Sequence, residues 1–281
     1  MLKILIPTDL SRESRSGMRF ALQWARQQKA RLIFFHAAYI PCLTRWNEKQ
    51  YQSFRISELD LRQRRLQQMV AGVFARAGVH DQPYDCIIVE GISPEITLQD
   101  YCREHKEIDF ICMGTHGAAG VQRLWGTHAG NMITHAPAPV VVVPKGYRTK
   151  AIRQLLYATD LDHYQEEMEK VVPLARHLKA ELHILHLVGP DERVPDKTLF
   201  ENVLKQEFHI ETHIHLKIMD ETRSVAANLH KFIQRTKPSL VIMFTDKQRT
   251  LFEKIFYPSK AESFAFRTHT PLLAFSKHPL K

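Results

Sequence analysis

The residues Met113-Gly114-Thr115-His116-Gly117 are followed, after eight intervening residues, by Gly126-Thr127-His128-Ala129-Gly130-Asn131. A glycine-rich turn between a buried strand and a helix start lets backbone N–H groups close on a phosphate, and the helix N-terminus adds partial positive charge. Thr127 has the side chain to cap that helix. Asp9, after the apolar run Ile4-Leu5-Ile6, comes just past the end of the first strand, and its own side chain could simply cap a helix or close a turn ahead of Ser11 and Ser14. The equivalent stretch of the second half, Phe244-Thr245-Asp246-Lys247-Gln248-Arg249-Thr250, has no glycine, and Asp246 would repel a phosphate. Lys247 and Arg249 are point charges, and a solvated loop accounts for them better than a cradle does.

The elements that must position these residues come from an internal repeat. Ile4-Leu5-Ile6-Pro7-Thr8-Asp9-Leu10 recurs as Leu155-Leu156-Tyr157-Ala158-Thr159-Asp160-Leu161. The next helix in each half carries apolar residues at helical spacing, namely Met18, Ala21, Leu22 and Ala25, then Met168, Val171, Val172 and Ala175. Each repeat alternates strands and helices as βαβαβαβαβ, which gives a parallel sheet with helices on both faces. The expected fold is therefore α/β, as two tandem doubly wound, five-stranded parallel-sheet domains, residues 1–146 and 151–281. Strands are expected near 2–7, 31–37, 84–90, 108–113 and 139–143, then 152–158, 181–187, 210–218, 239–244 and 271–275. In the third strand of the second half, His213, His215 and Lys217 alternate with Thr212, Ile214, Leu216 and Ile218, as in an edge strand with one solvated face.

Composition narrows the function classes. Residues 1–150 hold 20 Lys+Arg against 13 Asp+Glu, and the rest hold 19 against 17, so the basic excess sits in the first half. Arg55, Arg62, Arg64 and Arg65 fall on one helix with Leu59, Leu66, Met69, Val70, Val73 and Ala77, an amphipathic pattern with a solvated basic face. Without a recognised reading motif, nucleic acid is not an expected partner. No apolar run reaches the roughly 20 residues that a membrane span needs, so no membrane partner is expected and the reading is cytoplasmic. Cys42, Cys86, Cys102 and Cys112 show no CxxC pairing, and no structural disulfide is expected.

On Pro7-Thr8-Asp9-Leu10-Ser11, Met113-Gly114-Thr115-His116-Gly117, Gly126-Thr127 with Ala129, and His135-Ala136-Pro137-Ala138-Pro139 leading into Val140 to Val143, the chain resembles the universal stress protein family in its tandem two-domain form. That resemblance implies a Rossmann-like, adenine nucleotide alpha-hydrolase-like scaffold and an adenine nucleotide ligand, ATP or AMP, with Mg²⁺ left open. It implies that Asp9 bonds the ribose, that backbone around Thr8 and Ala38 borders the adenine, and that Gly114, Gly117, Gly126 and Thr127 hold phosphates. Pro7, Met113, His116 and His128 complete the implied binding set. The family's ATP-binding members carry Gly-x2-Gly-x9-Gly-Ser/Thr, and this chain has eight residues where that pattern has nine. The family also implies pairing through the fifth strands, here an intrachain pseudo-dimer of Val140 to Val143 with Leu272 to Phe275, while a homodimer of two chains stays open.

The expected function is a stress-response module that binds adenine nucleotide in its first half, with a degenerate second half. The spacing argues for no paired carboxylates and no nucleophile with a base, so an enzyme is not expected and slow ATPase activity is the ceiling. The alternative is a nucleotide-free interaction protein that binds a protein partner or apolar ligand through its Phe-rich second half, around Phe252, Ile255 and Phe256, or a partner through the Arg-rich helix. His209, Glu211, His213 and His215 lie close in sequence, but their spacing supplies no complete ligand set, and no metal site is expected.

Overall fold

The computed structural model describes residues 1–114, 136–245 and 269–276. The first half runs β1 (Leu2–Pro7), α1 (Arg15–Gln27), β2 (Ala30–Ala38), α2 (Glu48–Ala77), β3 (Tyr84–Glu90), α3 (Pro94–Glu104), β4 (Phe110–Gly114) and β5 (Val140–Val143). The second runs β6 (Gln154–Thr159), α4 (Tyr164–Leu178), β7 (Glu181–Val188), α5 (Lys197–Phe208), β8 (Thr212–Ile218), α6 (Val225–Thr236), β9 (Leu240–Thr245) and β10 (Leu272–Ser276). Every strand lies within two residues of its expected bounds.

The strands form one sheet in the order β3-β2-β1-β4-β5-β10-β9-β6-β7-β8. Within each half all pairs are parallel, and β5 meets β10 antiparallel with Leu272 opposite Val142 and Ala274 opposite Val140. Four consecutive valines, all fully buried, make β5 suited to the centre of such a sheet, where both faces are covered. The cores on the two faces each run through both halves. One joins Met18, Trp24 and Leu66 to Tyr157 and Met168; the other joins Leu98 and Ile111 to Leu229 and Ile233.

The segment after β5 is docked rather than a free tether. Tyr147 is buried and packs edge-on against Phe20 at 5.4 Å. Gln27 grips the start of the second half with both ends of its amide, donating to the Ile152 carbonyl at 3.0 Å and accepting from the Ile152 N–H at 2.7 Å.

Arg64 and Arg65 are exposed, as a solvated face requires, and Arg55, Arg62 and Arg64 pair with Glu90, Glu58 and Asp60, which offsets the charge of that face. One expectation needs correction. His215 is not a solvated edge residue: its ring stacks on His183 at 5.2 Å and touches Phe232 at 5.1 Å, because α6 crosses that face of the sheet. Burial, with His183, Lys217, Lys197 and His213 nearby, pushes its pKa down to about 4. All four cysteines are free thiols. Among the described residues, no helix is long and apolar enough to cross a membrane.

Candidate functional site

In open parallel sheets, ligands sit beyond the carboxyl ends of the strands, where strand order reverses. Here that place is the mouth formed by the ends of β1, β2 and β4. Pro7 closes β1, and Thr8 follows with its N–H donating to the Phe35 carbonyl at 2.9 Å. The buried Thr8 hydroxyl shares a hydrogen bond with the Ser14 hydroxyl at 2.7 Å and accepts from the Leu10 N–H at 3.0 Å. Asp9 is exposed, and its Oδ1 accepts from the Ser11 N–H at 3.0 Å. Leu10 is held in the left-handed region, with φ of 63°. A branched side chain at that φ costs about 1–2 kcal/mol, so the side-chain bonds from Thr8 and Asp9 must hold the turn.

The second half repeats the left-handed leucine and the two side-chain bonds that flank it. Leu161 has φ of 71°, Thr159 accepts from the Leu161 N–H at 3.0 Å, and Asp160 accepts from the Asp162 N–H at 3.2 Å. A histidine caps each copy: His36 Nδ1 meets the Thr8 carbonyl at 2.8 Å, and His186 Nδ1 meets the Thr159 carbonyl at 3.1 Å.

What stands beside those histidines differs. In the first half Arg62 donates to the Tyr39 carbonyl at 3.4 Å and ion-pairs with Glu58, placing a guanidinium at the carboxyl end of β2. Burial lowers the His36 pKa, and Arg62 lowers it further against opposing contributions from Thr8 and Asp9. In the second half Glu192 reaches back over the turn. Its Oε1 lies 2.5 Å from His186 Nε2 and its Oε2 accepts from the Gly189 N–H at 3.0 Å. Partial burial pushes that carboxyl up, but the Gly189 N–H and His186 outweigh it and hold the pKa below the usual value. Beside the capping histidine there thus stands an Arg62–Glu58 ion pair in one half and the Glu192 carboxylate in the other.

Ala38 ends β2, buried, with its carbonyl accepting from the Gly91 N–H at 3.0 Å. Met113 and Gly114 end β4, beside β5 and next to α1. A side chain on Gly114 would meet Ser16 Oγ at 2.6 Å and the Glu13 carbonyl at 2.9 Å, so the absence of one there serves the approach of α1. Gly17 is the reciprocal half of the contact, its own Cβ position being 2.8 Å from the Gly114 nitrogen. Sequence reading missed Gly17; a lone glycine inside an amphipathic helix signals such an approach. The structure therefore gathers Pro7, Thr8, Asp9, Ala38, Met113 and Gly114 around the ends of three neighbouring strands. His116, Gly117, Gly126, Thr127 and His128 lie outside the described residues, as do Asp246, Lys247, Arg249, Phe252, Ile255 and Phe256 of the second half.

A separate cavity of about 150 Å³ opens between α1 and the last turn of α2, lined by Arg15, Arg19, Arg26, Arg76 and Thr149. Among the described residues, Arg15 Nε is buried without a hydrogen-bond partner.

The sequence profile described as the Universal stress protein family matches residues 1–144. That is just over half of the chain. The chain belongs to the universal stress protein family. The match stops at the end of the first half, where the glycine pattern is also confined. A universal stress protein from Archaeoglobus fulgidus DSM 4304 has the same fold along the full length, with 98% of each chain covered, a TM-score of 0.71 and 18% identity. A functionally unknown protein from Pseudomonas aeruginosa PAO1 is similar over 98% of this chain and 92% of its own, with a TM-score of 0.58 and 12% identity. No curated protein sequence matches the chain. The fold thus extends along both halves, and the family's sequence profile matches the first.

Proposed function

We propose that this universal stress protein binds one adenine nucleotide, ATP or AMP, at the mouth of β1, β2 and β4, and acts as a ligand-responsive regulatory module rather than an enzyme. The second half is a scaffold partner that holds no nucleotide, and β5 paired with β10 makes the chain an intrachain pseudo-dimer. The observation that carries this reading is the contrast between two mouths built on the same Thr-Asp-Leu turn. One has Arg62 beside its capping histidine, and the other is closed by the Glu192 carboxylate. An anion would meet a neutralised Arg62–Glu58 ion pair at the first mouth and an acidic side chain at the second.

The residues present fit the ligand. Asp9 is exposed beside the turn, and the Ala38 carbonyl has a lone pair left after accepting from Gly91. Asp9 would orient the ribose, the ends of β1 and β2 would border the base, and the glycine-rich segment after β4 would hold the phosphates. The test is direct. The purified chain is heat-denatured and the supernatant resolved by anion-exchange chromatography; adenine nucleotide at up to one per chain is expected, with none from a Gly117→Asp variant. Chain without nucleotide is then warmed with ATP, where occupancy at about 100 times Kd adds roughly 2.7 kcal/mol of stability. No released nucleotide and no shift in melting temperature would overturn the reading.

The arginine-lined cavity favours a second reading, in which an anionic partner docks between α1 and α2. An Arg19→Ser, Arg76→Ser variant separates the two, because it should leave nucleotide retention unchanged.

A further inference from the structure

Five side chains that the nucleotide reading does not use converge at the opposite end of the sheet. In the parallel register His183 of β7 lies opposite His213 of β8, Leu185 opposite His215, and Gln154 of β6 opposite Glu181. Side chains alternate along a strand, so Gln154, Glu181, His183, His213 and His215 all point to one face, at the amino ends of β6, β7 and β8. Glu181, His183 and His213 each offer one donor atom, and the three atoms lie within 4.8 Å of one another. The Glu181 Oε2 to His183 Nε2 separation is 3.7 Å.

Hydrogen bonds already hold His183 as a ligand is held. Gln154 Nε2 donates to His183 Nε2 at 2.8 Å, which places the ring proton on Nδ1. That Nδ1–H then donates to His215 Nε2 at 2.9 Å. An outer hydrogen bond of this kind fixes the tautomer and ring plane of a ligating histidine, and an ion at Nε2 would take the lone pair that now accepts from the Gln154 amide. A tetrahedral ion with bonds of about 2.0–2.2 Å sets its donors roughly 3.4 Å apart. The exposed side chains of Glu181 and His213 supply the adjustment, and His183, half-buried, is the fixed point.

We infer that Glu181, His183 and His213 form a binding site for a divalent late-transition-metal ion of the zinc or nickel class, with His215 as the positioning residue behind His183. Two imidazoles and a carboxylate favour these ions over magnesium or calcium. The fourth place goes to water or to the Gln154 amide oxygen after the amide turns over. The set differs from the one the sequence brings together. Glu211 pairs with Lys205 at 2.6 Å, and His209 is the left-handed cap of α5. His183 came from the neighbouring strand, 30 positions before His213 in the chain.

The test is calorimetry of the full-length chain, freed of any affinity tag, against ZnCl₂, paired with the visible spectrum of the Co²⁺ form. One ion per chain is expected, with Mg²⁺ failing to compete. Glu181→Gln and His213→Gln alter exposed side chains and keep the fold by circular dichroism; each should weaken binding about tenfold or more. His215→Ala should weaken it roughly 10–100-fold and alter the Co²⁺ spectrum. His209→Gln and Glu211→Gln should change nothing. Absence of one-to-one binding, or zinc binding indifferent to both Glu181→Gln and His213→Gln, would overturn the assignment.

Discussion

His36 links the mouth of the first half to the stability of the whole. Its Nδ1 is committed to the Thr8 carbonyl, and burial holds its pKa below the ordinary 6.5. Below that value the unfolded chain takes up a proton that the folded chain refuses, so stability rises with pH across the window. This contribution is present in full above about pH 6.5 and is lost as pH falls through the folded value. The melting temperature should therefore hold steady near pH 7–8 and decline towards pH 5, and His36→Gln should shrink the decline. An unchanged pH profile in the variant would contradict this account. The Thr8-Asp9-Leu10 turn was legible as a motif in the sequence, but the left-handed φ at Leu10 and at Leu161 was not. Nothing in a leucine marks that conformation; side-chain acceptors on either side impose it.

At the scale of elements, the contact between α1 and β4 sets how closely the first helix lies on the sheet. Gly17 and Gly114 stand back to back, and a Cβ on Gly17 would meet the Met113 carbonyl carbon at 2.9 Å. These are backbone atoms that cannot swing aside, so Gly17→Ala should cost about 1–3 kcal/mol in denaturant unfolding. Gly72, inside α2 with no atom of the described residues within 4 Å of its Cβ position, is the internal comparison. There the same substitution should stabilise by roughly 0.5–1 kcal/mol, since alanine loses less freedom on entering a helix. Equal effects at the two sites would refute the close-approach reading. Strand and helix bounds were readable because apolar periodicity is a local signal, as in Met168, Val171, Val172 and Ala175, all buried on one face of α4. The partner of Arg55, Glu90 of β3, can be matched only once α2 is placed, whereas Glu58 and Asp60 stand four residues before Arg62 and Arg64, a helical spacing present in the sequence itself. His183 and His213 were unreadable together because strand register, not sequence spacing, joins them.

Across the whole molecule, the shared sheet, the two cores that cross from half to half and the Gln27 grip on Ile152 make the halves one cooperative unit. Calorimetric unfolding of the intact chain should show a single transition. Val141→Asp, which buries a charge opposite Leu273, should destabilise it by about 4 kcal/mol or more or split it in two. Two separate transitions in the unaltered chain would argue that the halves are independent. The central claim is that this duplicated scaffold holds nucleotide in one copy alone, and titration calorimetry of ATP against the nucleotide-free chain tests it most directly. The account predicts one site per chain, weakened roughly tenfold or more by Asp9→Ala, as loss of a hydrogen bond from a charged group would do, and unmoved by Asp160→Ala. Two sites per chain, no site, or a site lost through Asp160→Ala would contradict it.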